Sequence, residues 1–247
     1  MTSYPGLFTS ILHTIVKIVA AILIAVFMAW SMCHRPPKPE PFNSRTDQIF
    51  LLGDSMFKND HYVPGGKSVT DHLLRKLPDS EHAITVYAKN GATISDVYSQ
   101  LNRISRSADS ISTNIFVSVG GNDLLSLASY TTFKYDQPAY DDLFSKYKLL
   151  MEKIRREFPE SKLHLATIYY PSGSDKALKK IISNWNKQVR CYVGSSIHIK
   201  TPVVQRPTYV PVDEYLVEPL DFVRTIEPSS TGGEKIAKLI AKSVGRR

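Results

Sequence analysis

Short apolar runs alternate with segments of helical periodicity along most of this chain, and no other feature constrains its fold as strongly. The apolar runs are nearly continuous and occupy 48–52, 83–87, 114–119, 163–168 and 209–213. Apolar residues recur every three or four positions within 69–77, 94–104, 143–158, 177–192 and 236–244, which is the spacing of amphipathic helices. Strands that are apolar on both faces are typical of parallel sheets covered by helices on both sides. The pattern therefore predicts an α/β fold, a three-layer α/β/α domain with a parallel sheet of about five strands.

The N-terminal region differs from this α/β pattern. Residues 15–33 are apolar except for Lys17, and their length is close to the roughly 20 residues that cross a bilayer. Because no small-x-small cleavage site precedes Cys33, we expect a single-pass transmembrane helix in contact with the lipid bilayer rather than a cleaved signal peptide. Prolines at 36, 37, 39 and 41 then predict an extended linker. We divide the chain into a membrane anchor (1–34), a Pro-rich linker (35–46) and one folded domain (47–247).

The basic residues support two further expectations. Arg35, Lys38 and Arg45 follow the apolar segment, which favours a cytoplasmic domain but leaves the side of the membrane open. The formal net charge is +8, yet pairs such as Lys179 and Lys180 lie within amphipathic patterns and are expected to be solvated helix faces. We therefore expect no nucleic-acid partner, while attraction to acidic lipid headgroups is consistent with the charge.

Neither a metal nor a cofactor is expected. The only cysteines are Cys33 and Cys191, which is too few for a disulfide framework. No cluster of His, Cys, Asp and Glu has metal-ligand spacing, and no glycine-rich phosphate loop is present in the sequence.

Candidate catalytic residues follow three consecutive predicted strands. The first strand ends in LLGDSMF, which puts Ser55 on the turn beyond it, where backbone N–H groups can hold an oxyanion. The second is followed by AKNGATISDV, with Gly91, and the third ends in VSVGGNDLL, with Asn122. Because the carboxyl ends of parallel strands meet at one edge of the sheet, we expect one hydroxyl to face amide donors from separate loops.

With these motifs the sequence resembles the SGNH (GDSL) hydrolases, a family of esterases, lipases, thioesterases and carbohydrate deacetylases with a flavodoxin-like fold. The resemblance covers 48 to the C-terminus and rests on LLGDS together with GGND. It implies that Ser55 is the nucleophile. It also implies that Ser55, Gly91 and Asn122 supply the oxyanion hole.

The last block of the family is altered in this chain. The family usually has Asp-x-x-His-Pro before its final helix, whereas this chain has RTIEPSSTGGEKIA. The resemblance aligns Glu227 with the catalytic histidine and Arg224 with its aspartate. We interpret the IEPS block as a variant form of the family, with Glu227 as a candidate catalytic residue.

The identity of the base stays open at this stage. An ordinary carboxylate is a weaker base than histidine at neutral pH, and burial of Glu227 would strengthen it while pairing with Arg224 would weaken it. His61, in the loop after Ser55, is an alternative base. Asp54 is expected to brace the turn, and His164, within a strand, is expected to be a core histidine.

The leading hypothesis is a membrane-anchored serine esterase or deacylase that hydrolyses an acyl ester through an acyl-Ser55 intermediate. Its substrate would be an ester-bearing small molecule, lipid or glycan. Two alternatives are a catalytically weakened module that binds a glycan or lipid, and an acyltransferase that uses the same intermediate.

Overall fold

All five predicted strands are present in the computed structural model, which describes residues 47–78, 83–130, 137–195 and 206–245, and the single residues His13 and Lys17. Two 3-10 turns, Arg106–Ala108 and Pro219–Asp221, accompany the regular elements. The elements in chain order are β1 (Gln48–Gly53), α1 (Val69–Lys76), β2 (Ile84–Val86), α2 (Ile94–Leu101), β3 (Thr113–Ser118), α3 (Gly121–Tyr130), α4 (Gln137–Glu157), β4 (Lys162–Ala166), α5 (Lys176–Ser195), β5 (Thr208–Val210), α6 (Val212–Tyr215), β6 (Phe222–Val223), β7 (Glu227–Pro228) and α7 (Ser230–Ser243).

The central sheet is parallel and has the strand order β2-β1-β3-β4-β5. This is the flavodoxin-like order, in which the chain changes direction across the sheet between β1 and β3. The carboxyl ends of β1 and β3 are therefore neighbours, with Gly53 paired to Ser118. A crevice outside these ends is where such sheets bind ligands.

Each face of the sheet has its own hydrophobic layer. Along β1, Phe50 and Leu52 pack into one layer with residues of α2, α4 and α5, while Ile49 and Leu51 pack into the other with residues of α1 and α7. This alternation is the two-residue period of a strand, and because both faces are covered the strand is apolar throughout. The predicted three-layer α/β/α fold is confirmed.

Two predicted boundaries were wrong. The strand predicted over 209–213 ends at Val210, because Pro211 cannot donate to the sheet and a single helical turn, α6, follows it. Within that turn the buried Asp213 carboxylate accepts hydrogen bonds from the Thr167 hydroxyl and the Arg190 guanidinium. The helix predicted over 143–158 is present as α4, but it begins earlier, at Gln137, and α3, which was not predicted, precedes it.

The predicted anchor lies outside the described residues except for Lys17. Over the described part of the chain, no helix is long and apolar enough to cross a membrane. The chain separates into two units, Met1–Glu40 and Pro41–Arg247, and every element named above lies in the second. The transmembrane helix and the limits of the linker stay predictions.

Candidate active site

The end of β1 is held tightly against the end of β3. Gly53 has a φ of +123°, and a Cβ added there would collide with the carbonyl oxygen of Ser118. The next residue, Asp54, donates its backbone N–H to the same Ser118 carbonyl at 3.0 Å. Only glycine fits both the backbone conformation and the space, so the turn that carries Ser55 has a fixed origin.

Asp54 braces this turn from beneath. Its Oδ1 accepts hydrogen bonds from the Ser118 hydroxyl at 2.7 Å and from the Met56 N–H at 3.1 Å. The pKa of Asp54 is raised to about 7, chiefly by burial; the two hydrogen bonds oppose the rise, and the charges of Glu227 and Asp123 contribute to it. Asp54 therefore changes its charge close to neutral pH, directly beside Ser55.

Gln100 of α2 completes the support of the first loop. Its side-chain amide is buried, and it accepts from the Gly53 N–H at 2.6 Å and donates to the Gly53 carbonyl at 2.9 Å. Gln100 was not predicted from the sequence, and it lies on the same helix face as the apolar Val97 and Leu101. A lone polar residue on an otherwise apolar helix face is the signal that could have revealed it.

Asn122 links the third loop to the second. Its Nδ2 donates to the Ala92 carbonyl at 3.0 Å, which leaves the other N–H of that amide for a ligand. Ala92 follows Gly91, which is exposed, and within the described residues the N–H groups of Gly91 and Ser55 donate to no protein acceptor. Asp123 accepts from the Ile94 N–H at 3.1 Å. It therefore stabilises the start of α2.

Ser55, Asn122 and Glu227 line one small pocket with an interior volume of about 50 Å³. Asp54, Met56, Gly121 and Tyr169 also contribute to its polar end. The rest of the wall is mostly apolar and consists of Leu124, Leu125, Ile168, Pro171, Leu178, Ile182 and Ile226. The pocket therefore combines a hydroxyl, an amide and a carboxylate with an apolar wall that a short acyl group can contact.

Glu227 reaches this pocket from a small hairpin formed by β6 and β7, in which Val223 pairs with Glu227. The hairpin turn contains two successive non-glycine residues with positive φ, Arg224 at 51° and Thr225 at 66°. The loop after β4 holds the hairpin in place: the Ser172 N–H donates to the Thr225 carbonyl at 2.8 Å, and the Tyr169 hydroxyl donates to the Ile226 carbonyl at 2.6 Å. The position of Glu227 is thus fixed through its neighbours.

Oε2 of Glu227 is buried and has no hydrogen-bond partner within the described part of the chain. No ion pair of the described residues joins Arg224 to it, although the two side chains are close in sequence. Arg224 is exposed instead, with its guanidinium carbon 5.7 Å from the centre of the Tyr62 ring. Burial raises the pKa of Tyr62, and the charge of Glu227 adds to the rise while Arg224 opposes it.

None of the described histidines lines the pocket that contains Ser55. His61 is exposed in the loop after Ser55, and His72 contacts Ser230 and Arg75 between α1 and α7. His164 is buried between Thr208 and Asn114, and burial lowers its pKa to about 3. His198, which could not be assigned from the sequence, lies outside the described residues.

A family model described as GDSL-like Lipase/Acylhydrolase matches residues 49–199. Similar solved structures include a lipolytic protein of the G-D-S-L family from Veillonella parvula, with 13% identity and a TM-score of 0.61 over 81% of this chain and 99% of that one. The lipase Lip_vut3 from a goat rumen metagenome has 20% identity and a TM-score of 0.60, covering 81% and 98%. Axe2, an acetylxylan esterase from Geobacillus stearothermophilus, has 14% identity and a TM-score of 0.58, covering 81% and 95%. At these identities the structures show a shared fold. A search of curated proteins gave no match.

Proposed function

This chain belongs to the GDSL-like lipase and acylhydrolase family, and from that premise we propose that it is a serine ester hydrolase or deacylase in which Ser55 is acylated. The observation that carries the proposal is the shared pocket, in which a serine hydroxyl, the Asn122 amide and the Glu227 carboxylate meet an apolar wall. Ester hydrolysis needs a nucleophile, donors for the oxyanion, a base and room for the acyl group. The pocket supplies candidates for each.

In the proposed reaction the Ser55 Oγ attacks the ester carbonyl carbon while its proton passes to the base. The oxyanion then accepts hydrogen bonds from the Asn122 amide and from the N–H groups of Ser55 and Gly91, which have no other acceptor in the described structure. Collapse of this intermediate expels the alcohol, which takes the proton back, and leaves acyl-Ser55. Water repeats the sequence, releasing the carboxylic acid and the free serine.

Glu227 is the base that we propose. Its Oε2 keeps its lone pairs available, because that atom is buried and has no donor, and Arg224 does not neutralise the carboxylate. We further propose that residues 15–33 anchor the enzyme in a membrane, so that its ester substrate is a lipid or a glycan near that surface, or a small molecule.

The test combines active-site labelling with kinetics on the full-length chain. A fluorophosphonate should label Ser55, as identified by mass spectrometry of the digested protein, and the protein should hydrolyse 4-nitrophenyl acetate or butyrate. Ser55→Ala should abolish both. Glu227→Gln keeps the shape of the side chain but removes its basicity, so kcat should fall about a hundredfold or more.

His61→Ala is the matched control, since that exposed histidine lies outside the pocket lining, and its kcat should equal that of the parent protein. A hundredfold loss in His61→Ala would make His61 the base instead of Glu227. Folded protein that is neither labelled nor active would refute the hydrolase and favour a binding module, whose ligand affinity should survive Ser55→Ala. Transfer of the acyl group to an added alcohol in preference to water would show an acyltransferase.

A further inference from the structure

A second depression adjoins the pocket of Ser55 and has a different chemical character. It is an open groove of about 700 Å³ that includes Lys176, Lys179, Lys180 and Ser183 from one face of α5. The remainder of its lining is Tyr170, Pro171, Ser172, Gly173, Leu216, Val217, Pro219 and Phe222. Among the described residues, none that lines the groove is Asp or Glu, so the formal charges of this lining are all positive. We call this depression the lysine groove.

The three lysines occupy positions i, i+3 and i+4 of α5 and are all exposed. None of them takes part in an ion pair within the described part of the chain. The nearby Asp175 carboxylate accepts a hydrogen bond from the Leu178 N–H at the start of the helix. The positive charge of the groove is therefore available to a ligand, whereas the sequence suggested only a solvated helix face.

The groove and the pocket share a wall. Pro171 lines both, and the opposite side of α5 contributes Leu178 and Ile182 to the pocket. The Phe222 ring in the groove lies 5.2 Å from the ring of Tyr169 in the pocket. An ester bound at Ser55 can thus direct its acyl chain into the apolar pocket and its alcohol part across Pro171 into the groove.

We propose that the lysine groove binds the alcohol part of the substrate and that this part is anionic, bearing a phosphate or a carboxylate. The inference rests on the proposed ester hydrolysis and assigns its substrate class. Long-range attraction raises the local concentration of an anion beside three clustered ammonium groups, and this effect weakens as salt screens it. The mixture of lysines with the exposed Val217 and the partly exposed Phe222 fits an organic anion better than a bare ion.

The experiment compares esters that share the scissile bond and differ in charge. Hydrolysis of 1-acetylglycerol 3-phosphate is compared with that of 1-acetylglycerol, and O-acetylglucuronic acid with O-acetylglucose, by acetate release from the full-length protein. We expect kcat/KM to favour at least one of the anionic esters about tenfold at low salt. The preferred pair identifies phosphate or carboxylate as the recognised group.

The variant Lys176→Gln/Lys179→Gln/Lys180→Gln should lose this preference because its KM for the anionic esters rises. Its kcat and its KM for the neutral esters should not change. Lys187→Gln is the matched control, an exposed lysine of the same helix outside the groove, and should keep the preference. Equal rates for charged and neutral esters in the parent protein, or equal losses for both in the triple variant, would overturn the proposal.

A binding measurement separates failure of this inference from failure of the hydrolase proposal. Glycerol 3-phosphate and glucuronate are titrated into the protein, and backbone amide shifts of α5 are followed by NMR. Suppose that no ester is hydrolysed, but that one anion changes the amide chemical shifts of α5 in the parent protein and not in the triple variant. The assignment of the groove as an anion site is then supported, and the hydrolase proposal fails. If esters are hydrolysed without charge preference and neither anion shifts α5, only the groove assignment is wrong.

Discussion

The buried carboxyl of Asp54 should make the stability of this protein depend on pH in a way that one substitution removes. Asp54→Asn keeps an oxygen to accept from Ser118 and Met56 but has no charge to bury. In the parent protein the pKa of Asp54 rises from its ordinary 3.8 to about 7, chiefly through burial. The folded state therefore retains a proton that the unfolded state releases.

The sign follows from proton binding in the two states. Between pH 3.8 and about 7 the folded protein holds the Asp54 proton and the unfolded chain does not, so the free energy of unfolding falls as pH rises and then levels off. The whole fall corresponds to about 4 kcal/mol, of which about 3 kcal/mol lies between pH 5 and 8. Asp54→Asn lacks this contribution, so its stability relative to the parent protein should increase by about 3 kcal/mol over that range.

Urea unfolding at pH 5, 6, 7 and 8, followed by the fluorescence of the buried Trp185, measures the difference. Groups that titrate in both proteins, such as His72, cancel when the two curves are subtracted. Asp60→Asn is the matched control, because its exposed carboxyl has a lowered pKa and is ionised throughout. Parallel curves for Asp54→Asn and the parent protein between pH 5 and 8 would refute the assignment of a proton to Asp54.

The support of the first loop and the predicted anchor yield three more tests. Gln100→Leu leaves the Gly53 N–H buried without a partner and the Gly53 carbonyl with only the Lys89 N–H, so the free energy of unfolding in urea should fall by about 1 to 3 kcal/mol, while the exposed Ser99→Ala should change it by less than about 0.5 kcal/mol. Gly53→Ala should destabilise by about 3 kcal/mol or more, because its Cβ meets the Ser118 carbonyl at a positive φ; a milder loss would mean that β1 and β3 can move apart. The full-length protein should stay with membranes after an alkaline wash, and Ile24→Arg/Val26→Arg should move it to the soluble fraction. The same distribution of the parent protein and the double variant between membrane and soluble fractions would contradict the anchor.

The sheet could be predicted from the sequence because its strands are apolar on both faces and each is followed by a helical pattern. That pattern failed at residues 209–213, where apolar character continues past Pro211 although the backbone turns into a helix. It also failed after β3, where the two glycines at 120 and 121 concealed the start of α3. In both places a local backbone feature determined the structure while the hydropathy pattern barely changed.

For the candidate site, the sequence could place residues at strand ends but could not show what surrounds them. Ser55 and Asn122 meet in one pocket because adjacent parallel strands end together, a consequence of topology alone. The surroundings of Glu227 depend on a hairpin held by the loop after β4, far away in sequence. The hydrogen bonds between the Gln100 side chain and the Gly53 backbone likewise form only when α2 packs against β1 in one relative position. The catalytic roles of these residues stay predictions.

Trp185 occupies the space beside Gly120, the residue at the corner before Gly121 and Asn122. It packs edge-on against Tyr140, Phe144 and Tyr147, and a Cβ added at Gly120 would overlap its indole ring. A side chain at position 120 would therefore require a smaller residue at position 185 and also a changed backbone, since Gly120 has a φ of +110°. In related sequences, residues 120 and 185 are therefore expected to change together rather than independently.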